Sequence, residues 1–225
     1  MSVGNLNESA LHAALKEALA PPGAQFEVPI GPFVVDIFAN SLIIEIQTQQ
    51  LRSAAKKIAA LTPEFPLRMV LPIAAERELV KHHADGTTER RKSPRRLGLW
   101  HVFHELVFNP RLLETPNFVL ELVLIREREH RKHVPGSSWR KRDWRTVGRD
   151  LVEIIDNRML HEPNDLLAFV PEQLHEFTTA ELAQAAGIPR RAAQQMAYCL
   201  YHAGMAERSG KRGNAWLYRA QPHTH

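Results

Sequence analysis

The first 75 residues carry alternating blocks of helical and strand-like hydrophobic spacing. Apolar residues recur every three or four positions from Leu11 to Leu19, which predicts a helix that ends at Pro21. Asn7 is placed to cap this helix, with Glu8 in its first turn. The predicted order is helix, three strands, helix, strand. After the first helix, strands are expected at 25–30, 33–38 and 42–47, a helix at 49–61 and a buried strand at 67–73.

The second and third strands are predicted to form a hairpin with Asn40-Ser41 as its two-residue turn. In that register Ile37 lies opposite Ile44, and Asp36 lies opposite Glu45. Directly opposed residues have Cβ atoms about 4.5–5.5 Å apart, and like charges at that distance are destabilising. Two carboxylates on an otherwise apolar hairpin therefore indicate a bound divalent cation.

The middle region has less regular hydrophobic spacing. Asp85-Gly86 lies between two polar and basic arms, which predicts a hairpin ribbon that projects from the fold. We expect a short helix at 97–107, a strand at 118–125 and a helix at 147–160. Between the last two, tryptophans alternate with cations, as in nucleic-acid contacts where the cation binds phosphate and the ring stacks on a base. The same rings also suit anchors that hold a loop to the core. The residues concerned are Trp139, Arg140, Lys141, Arg142, Trp144 and Arg145.

The C-terminal region predicts two helices followed by a basic hairpin. Thr178-Thr179 followed by Glu181 opens a helix, and Pro189 is placed to begin a second one that runs to about His202. Two short strands flank Gly210-Lys211-Arg212-Gly213.

Helix, tight turn, helix and basic hairpin resemble the winged helix-turn-helix family over about residues 165–220. In that family the second helix enters the major groove of DNA and the wing touches the backbone. Winged helices also serve as protein–protein modules, which leaves a protein partner open. For DNA, the resemblance implies contacts from Arg190, Arg191, Gln194, Gln195, Tyr198, Lys211 and Arg212.

Composition describes a globular protein with two basic regions. Hydrophobic residues make up 44% of the chain and charged residues 24%. Residues 77–149 hold 17 Lys/Arg against 9 Asp/Glu, and residues 178–219 hold 6 against 2. Such clusters favour a polyanionic partner, although a solvated basic surface gives the same count.

The sequence predicts a cytoplasmic protein without a membrane span. The longest apolar stretches are of strand length, and no signal-peptide pattern is evident. Cys199 is the single cysteine, which suits a reducing compartment.

The first unit resembles the PD-(D/E)XK nuclease superfamily. The resemblance rests on the element order, on Asp36 at the end of one central strand and on Glu45-Ile46-Gln47 on the next, with Glu8 in the first helix. It covers roughly residues 6–75, plus the strand at 118–125 if that strand pairs with the core. It implies an α/β (α+β) fold with a restriction-endonuclease-like αβββαβ core.

The resemblance implies a catalytic set of Asp36, Glu45, Gln47 and Glu8. Asp36, Glu45 and the carbonyl of Ile46 are hard oxygen ligands, which suit Mg²⁺ or Mn²⁺. Other family members carry a lysine at the position of Gln47, where it orients or activates the attacking water. A glutamine positions water but supplies no positive charge.

Several of these residues also fit ordinary structural roles. Glu8 is favourable at a helix N-terminus, where it opposes the helix dipole. Asp36 suits an ordinary ion pair with Lys16 or Lys56. His101 and His104 are spaced as zinc ligands on a helix, but no cysteine or third ligand has a suitable spacing.

We therefore expect a nuclease-like domain at 1–160, with a basic insertion at about 76–149, and a winged helix-turn-helix domain at 161–225. The expected function is Mg²⁺-dependent hydrolysis of phosphodiester bonds in DNA, with the winged helix holding the substrate. The resemblance allows a homodimer, since many such nucleases dimerise to cut both strands. The alternatives are a non-catalytic DNA-binding protein that keeps the nuclease scaffold, and an assembly subunit whose winged helix binds a partner protein.

Overall fold

The computed structural model describes residues 9–136 and 143–221. From the first helix to the fourth strand, the order is the predicted one of helix, three strands, helix, strand. The described helices are α1 (Ala10–Leu19), α2 (Ala55–Leu61), α3 (Val102–Leu106), α4 (Thr179–Ala185) and α5 (Arg190–His202). The described strands are β1 (Gln25–Ile30), β2 (Phe33–Ala39), β3 (Leu42–Ile46), β4 (Leu67–His82), β5 (Thr88–Lys92), β6 (Phe118–His133), β7 (Trp144–Leu160), β8 (Glu176–Phe177), β9 (Ala206–Arg212) and β10 (Ala215–Ala220).

The N-cap of α1 is Ser9 rather than Asn7. The Ser9 hydroxyl accepts a hydrogen bond from the backbone N–H of His12 at 3.3 Å, which satisfies one of the donors that a helix leaves free at its start. Glu8 lies outside the described residues, so its catalytic role stays a prediction.

A mixed sheet organises most of the molecule. Its strand order is β1-β2-β3-β4-β6-β7, with β5 paired to β4. Strand β4 runs parallel to β3 and β6, and the other pairs in this sheet are antiparallel. The mixed α/β class is confirmed at this level.

Both faces of the central strands are buried. Ile43, Met69 and Leu122 belong to a core shared with α2 and α3, whereas Ile44 and Val70 belong to a second core beneath α1. Because successive residues of a strand point to opposite faces, strands covered on both sides read as continuous apolar runs. This burial explains why these strands could be predicted from the sequence.

Strands β4 and β6 extend well beyond their predicted ends at 73 and 125. Their distal halves pair with each other along the backbone, and the facing side chains form ion pairs beside the buried Leu79 and Val80. Arg77 lies 2.5 Å from Glu127 and 3.0 Å from Glu129, and both carboxylates are buried. Arg128 likewise lies 2.8 Å from Glu78. The β4–β5 hairpin around Gly86 forms, and every residue of β5 is exposed. It does not project from the fold as predicted, because its β4 arm also pairs with β6 inside the mixed sheet and buries Leu79 and Val80.

The prediction of a helix at 147–160 is wrong, because this segment is the edge strand β7. Its register against β6 shifts three times, which leaves Val147, Val152 and Ile155 without a paired residue. Each shift is a β-bulge, and one extra residue breaks the period of two. The resulting apolar spacing of three to five residues imitates a helix. All three bulged side chains are exposed, and bulges of this kind protect a sheet edge against pairing with another chain.

The C-terminal elements form as predicted and pack directly on the mixed sheet's unit. Thr178 and Glu181 form a capping box at the start of α4, and β8, β9 and β10 make a small antiparallel sheet. Helix α5 packs against α3, and their apolar side chains belong to one continuous core. Cys199 contributes to this core as expected, and burial raises the pKa of its thiol to about 12.

Among the described residues, no helix has the length and apolar content to cross a membrane.

Candidate active site

The β2–β3 hairpin has the predicted turn and register. Asn40 and Ser41 both have positive φ, at 49° and 65°, which is the backbone of a type I′ turn. Ile37 pairs with Ile44 as expected. The backbone N–H of Asp36 donates to Glu45 Oε1 at 3.1 Å, so the two acidic residues do come together.

The carboxylate of Asp36 is held by two donors. The backbone N–H of Ile46 donates to Asp36 Oδ2 at 2.8 Å. Nε2 of His12, on α1, lies 3.2 Å from the same oxygen and 3.1 Å from the carbonyl oxygen of Ile46. Because a carbonyl only accepts, Nε2 carries a hydrogen. Burial raises the pKa of Asp36, but the hydrogen bonds from His12 and Ile46 outweigh it and place that pKa below its ordinary value.

The carboxylate of Glu45 is paired with a lysine from α2. Lys57 Nζ lies 2.6 Å from Glu45 Oε2 and donates to the carbonyl of Val34 at 2.6 Å. Burial, followed by the negative charge of Asp36, raises the pKa of Glu45, although Lys57 opposes the shift. The charge of Asp36 thus adds to the effect of burial, as expected where a second carboxylate lies close by.

The ion pairs considered for Asp36 from the sequence are not the ones that form. Lys16 pairs with Glu27, and Lys56 is exposed on α2. The groups that meet the two carboxylates are His12 and Lys57, neither of which was predicted from the sequence. In the sequence, the one feature that could have indicated them is that each lies next to a buried apolar residue. His12 follows Leu11 in α1, and Lys57 precedes Ile58 in α2.

Gln47 follows β3 and lines the same cavity as the carboxylates. Its side-chain nitrogen donates to the carbonyl of Gln50 at 3.1 Å and lies 3.0 Å from the hydroxyl of Ser53. With the nitrogen held by this turn, the amide oxygen is the polar atom that remains for a water molecule.

The donor set suits a hard divalent cation. Asp36, Glu45 and Gln47 line a cavity of about 770 Å³, together with Ile46 and His12. Within the described part of the chain, Asp36 Oδ1 accepts no hydrogen bond, so this oxygen is open to a ligand. No group of three or more His, Cys, Asp or Glu suited to a metal occurs among the described residues. A cation here would therefore take two carboxylates and the Ile46 carbonyl, with water completing its shell, as Mg²⁺ commonly does.

The basic residues predicted to contact nucleic acid are placed as follows. Arg145 is exposed on β7. Trp144 packs between the rings of His83 and His133, at 5.2 and 5.5 Å between ring centroids, which suits an anchor. Outside the described residues lie Trp139, Arg140, Lys141 and Arg142.

Helix α5 presents only part of the predicted DNA-binding face to solvent. Gln195 lies instead against α3, where its side-chain nitrogen is 3.1 Å from His104 Nδ1. On the β9–β10 hairpin, Lys211 Nζ lies 4.5 Å from the ring centroid of Trp216, and Arg212 forms an ion pair with Glu181. The predicted residues of α5 that remain exposed are Arg190, Arg191, Gln194 and Tyr198.

Residues 9–161 match a family described as Domain of unknown function (DUF8091). The chain belongs to this family. The DUF8091 match covers the whole mixed sheet, with Asp36, Glu45 and Lys57. An uncharacterized protein of Treponema pallidum (strain Nichols) is 27% identical over 226 residues, an alignment that covers 99% of this chain and 89% of that protein. The similarity to that protein therefore extends through the C-terminal unit. No solved structure matches the chain.

Proposed function

We propose that the protein is a metal-dependent DNA endonuclease with a PD-(D/E)XK-like core and a C-terminal winged helix. The observation that carries this proposal is the convergence of Asp36, Glu45 and the Ile46 carbonyl on the lining of one cavity. Two carboxylates and a carbonyl on adjacent strands form a hard-oxygen site, and phosphodiester hydrolysis is the chemistry that such sites commonly serve. The helix, three-strand, helix, strand order that holds them supports the same assignment.

Each polar side chain of the site has a role in this reaction. Asp36, Glu45 and the Ile46 carbonyl would hold Mg²⁺ or Mn²⁺, which supplies Lewis-acid stabilisation of the charge that develops on the scissile phosphate. Lys57 supplies the positive charge that Gln47 lacks, 2.6 Å from Glu45. Gln47 orients the attacking water by accepting a hydrogen bond through its amide oxygen. His12 holds Asp36 and the Ile46 carbonyl in fixed positions.

The second candidate is a DNA-binding protein that keeps this scaffold without cutting. The observation that favours it is that both carboxylates already have donors within the protein, His12 with Ile46 for Asp36 and Lys57 for Glu45. Burying a carboxylate that is paired in this way needs no cation.

A cleavage assay separates the two candidates. Linear, nicked, branched and single-stranded DNA are incubated with the full-length protein in Mg²⁺, in Mn²⁺ and in EDTA. We expect products from at least one substrate in the presence of metal and none in EDTA. Retention of DNA without a metal-dependent product from any substrate would select the second candidate.

Lys57→Gln is expected to lower the cleavage rate by about 10²-fold, because it removes a fixed positive charge from the reacting centre. Single-turnover rates in Mg²⁺ measure the effect. Lys56→Gln is the matched control, since Lys56 is its exposed neighbour on α2 and should cleave at the wild-type rate. Equal rates for Lys57→Gln and wild type would show that Lys57 only neutralises a buried glutamate.

A further inference from the structure

A second compartment of about 670 Å³ lies next to the cavity that holds the carboxylates. The two share one wall, and together they are called the cleft. The shared wall consists of Leu11, Gln47, Thr48, Gln49, Ser53 and Arg149. An extended ligand bound at Asp36 and Glu45 would therefore pass these residues to reach the second compartment.

Arginine side chains give the second compartment an excess of positive charge. Arg77 lines it but is already neutralised by Glu127 and Glu129. Arg149, half-buried on β7, and the exposed Arg95 form no ion pair within the described residues. Their guanidinium groups are therefore available to an anionic ligand in this compartment, which could accept from both arms of the fork.

The acidic side chains of this compartment already have partners within the protein. Glu127 is bound to Arg77, and Glu105 accepts the backbone N–H of Leu51 at 2.8 Å. The lining of this compartment therefore contains three arginines and two glutamates, and both glutamates already have partners.

Two stacked histidines add hydrogen-bonding groups to this compartment. The rings of His101 and His104 lie 5.2 Å apart between centroids. Burial lowers the pKa of His101 to about 4, with help from the charges of His104 and Arg95, so His101 is neutral at pH 7. Gln195 places its side-chain nitrogen 3.1 Å from His104 Nδ1. Through this contact the compartment reaches α5.

We propose that the second compartment binds a phosphate of the substrate strand that flanks the phosphate cleaved at Asp36 and Glu45, with Arg149 as the principal contact. The inference rests on the proposed function, because it takes the nucleic-acid strand as the ligand of the cleft. The fork of an arginine side chain matches two phosphate oxygens, which a lysine does not reproduce. The strand then runs from the carboxylates beneath α3 towards α5.

Binding without cleavage tests the proposal. Fluorescence anisotropy in EDTA follows a short fluorescein-labelled duplex and its single strand bound to the full chain. Arg149→Ala is expected to weaken binding about ten-fold, and the double variant Arg95→Ala/Arg149→Ala should weaken it further. The slope of log affinity against log salt should fall by roughly one unit per arginine removed.

Arg91→Ala is the matched control, because Arg91 is exposed on β5 and forms no ion pair within the described residues. It removes the same charge and should keep wild-type affinity. Arg149→Lys keeps the charge but loses the fork, and an affinity between those of wild type and Arg149→Ala supports a directed phosphate contact. Thermal unfolding confirms that each variant is folded.

Wild-type affinity for DNA in Arg149→Ala would overturn the inference. An equal loss of affinity in Arg149→Ala and Arg91→Ala would also overturn it, because it would show only a diffuse attraction between DNA and positive charge. The absence of DNA binding by the wild-type protein would overturn it as well. Weakened binding by Arg149→Ala in a protein that never cleaves would support this subsite while removing the nuclease proposal. Normal DNA cleavage together with wild-type DNA binding by Arg149→Ala would support the nuclease proposal and remove the proposed phosphate subsite.

Discussion

Asp36→Asn and Glu45→Gln are each expected to lower the rate of metal-dependent DNA cleavage by about 10³-fold. Each substitution keeps the size of the side chain but removes one of the two charged oxygen ligands. Asp36 and Glu45 meet through a 3.1 Å hydrogen bond from the Asp36 N–H to Glu45 Oε1, so loss of either one leaves a single carboxylate at the site. Single-turnover cleavage over a series of Mg²⁺ concentrations gives both the rate and the metal dependence.

Glu64→Gln is the matched control for this prediction, because Glu64 is an exposed carboxylate with no ion pair in the described part of the chain. It should cleave at the wild-type rate. DNA binding in EDTA should survive in all three variants, which would show that folding is intact. Cleavage that persists in both Asp36→Asn and Glu45→Gln would place the reacting centre elsewhere in the protein.

The hairpin that carries these carboxylates could be predicted because its register is a local property. A two-residue turn fixes every pair that follows it, and Asn40 and Ser41 are residues that accept the positive φ such a turn requires. The facing of Asp36 and Glu45 then follows without knowledge of any other element.

The partners of the two carboxylates could not be predicted in the same way. His12 comes from α1 and Lys57 from α2, and each reaches the hairpin only through the packing of a helix on the sheet. The spacing of apolar residues predicts a helix and its buried stripe. It does not predict how far the helix is rotated or shifted along the sheet, and that placement decides which polar neighbour meets a carboxylate.

The distal halves of β4 and β6 and the strand β7 could not be predicted from the sequence for a different reason. Apolar spacing marks a strand only where the strand buries apolar side chains. In the distal halves of β4 and β6, buried ion pairs such as Arg77 with Glu127 and Glu129 accompany only a short apolar stretch, Leu79-Val80. Most of the sequence there therefore looks like a solvated basic segment. In β7, the bulges at Val147, Val152 and Ile155 broke the alternation itself.

Phe103→Ala is expected to lower the free energy of unfolding by about 3–5 kcal/mol, the usual cost of emptying a buried aromatic site. Phe103 is fully buried and packs edge-on against Phe169, with 5.2 Å between ring centroids. Its backbone carbonyl lies 3.8 Å from the thiol of Cys199 on α5. Because α3 and α5 share this core, the loss should destabilise both units together.

Urea denaturation followed by far-ultraviolet circular dichroism and by tryptophan fluorescence measures this effect. We expect the two probes to give one coincident transition, which moves to lower urea in Phe103→Ala. Phe108→Ala is the matched control, since Phe108 is 53% exposed and its loss should cost far less. Two separate transitions in the wild-type protein, with only one of them sensitive to Phe103→Ala, would instead show that the chain folds as independent domains divided near residue 160.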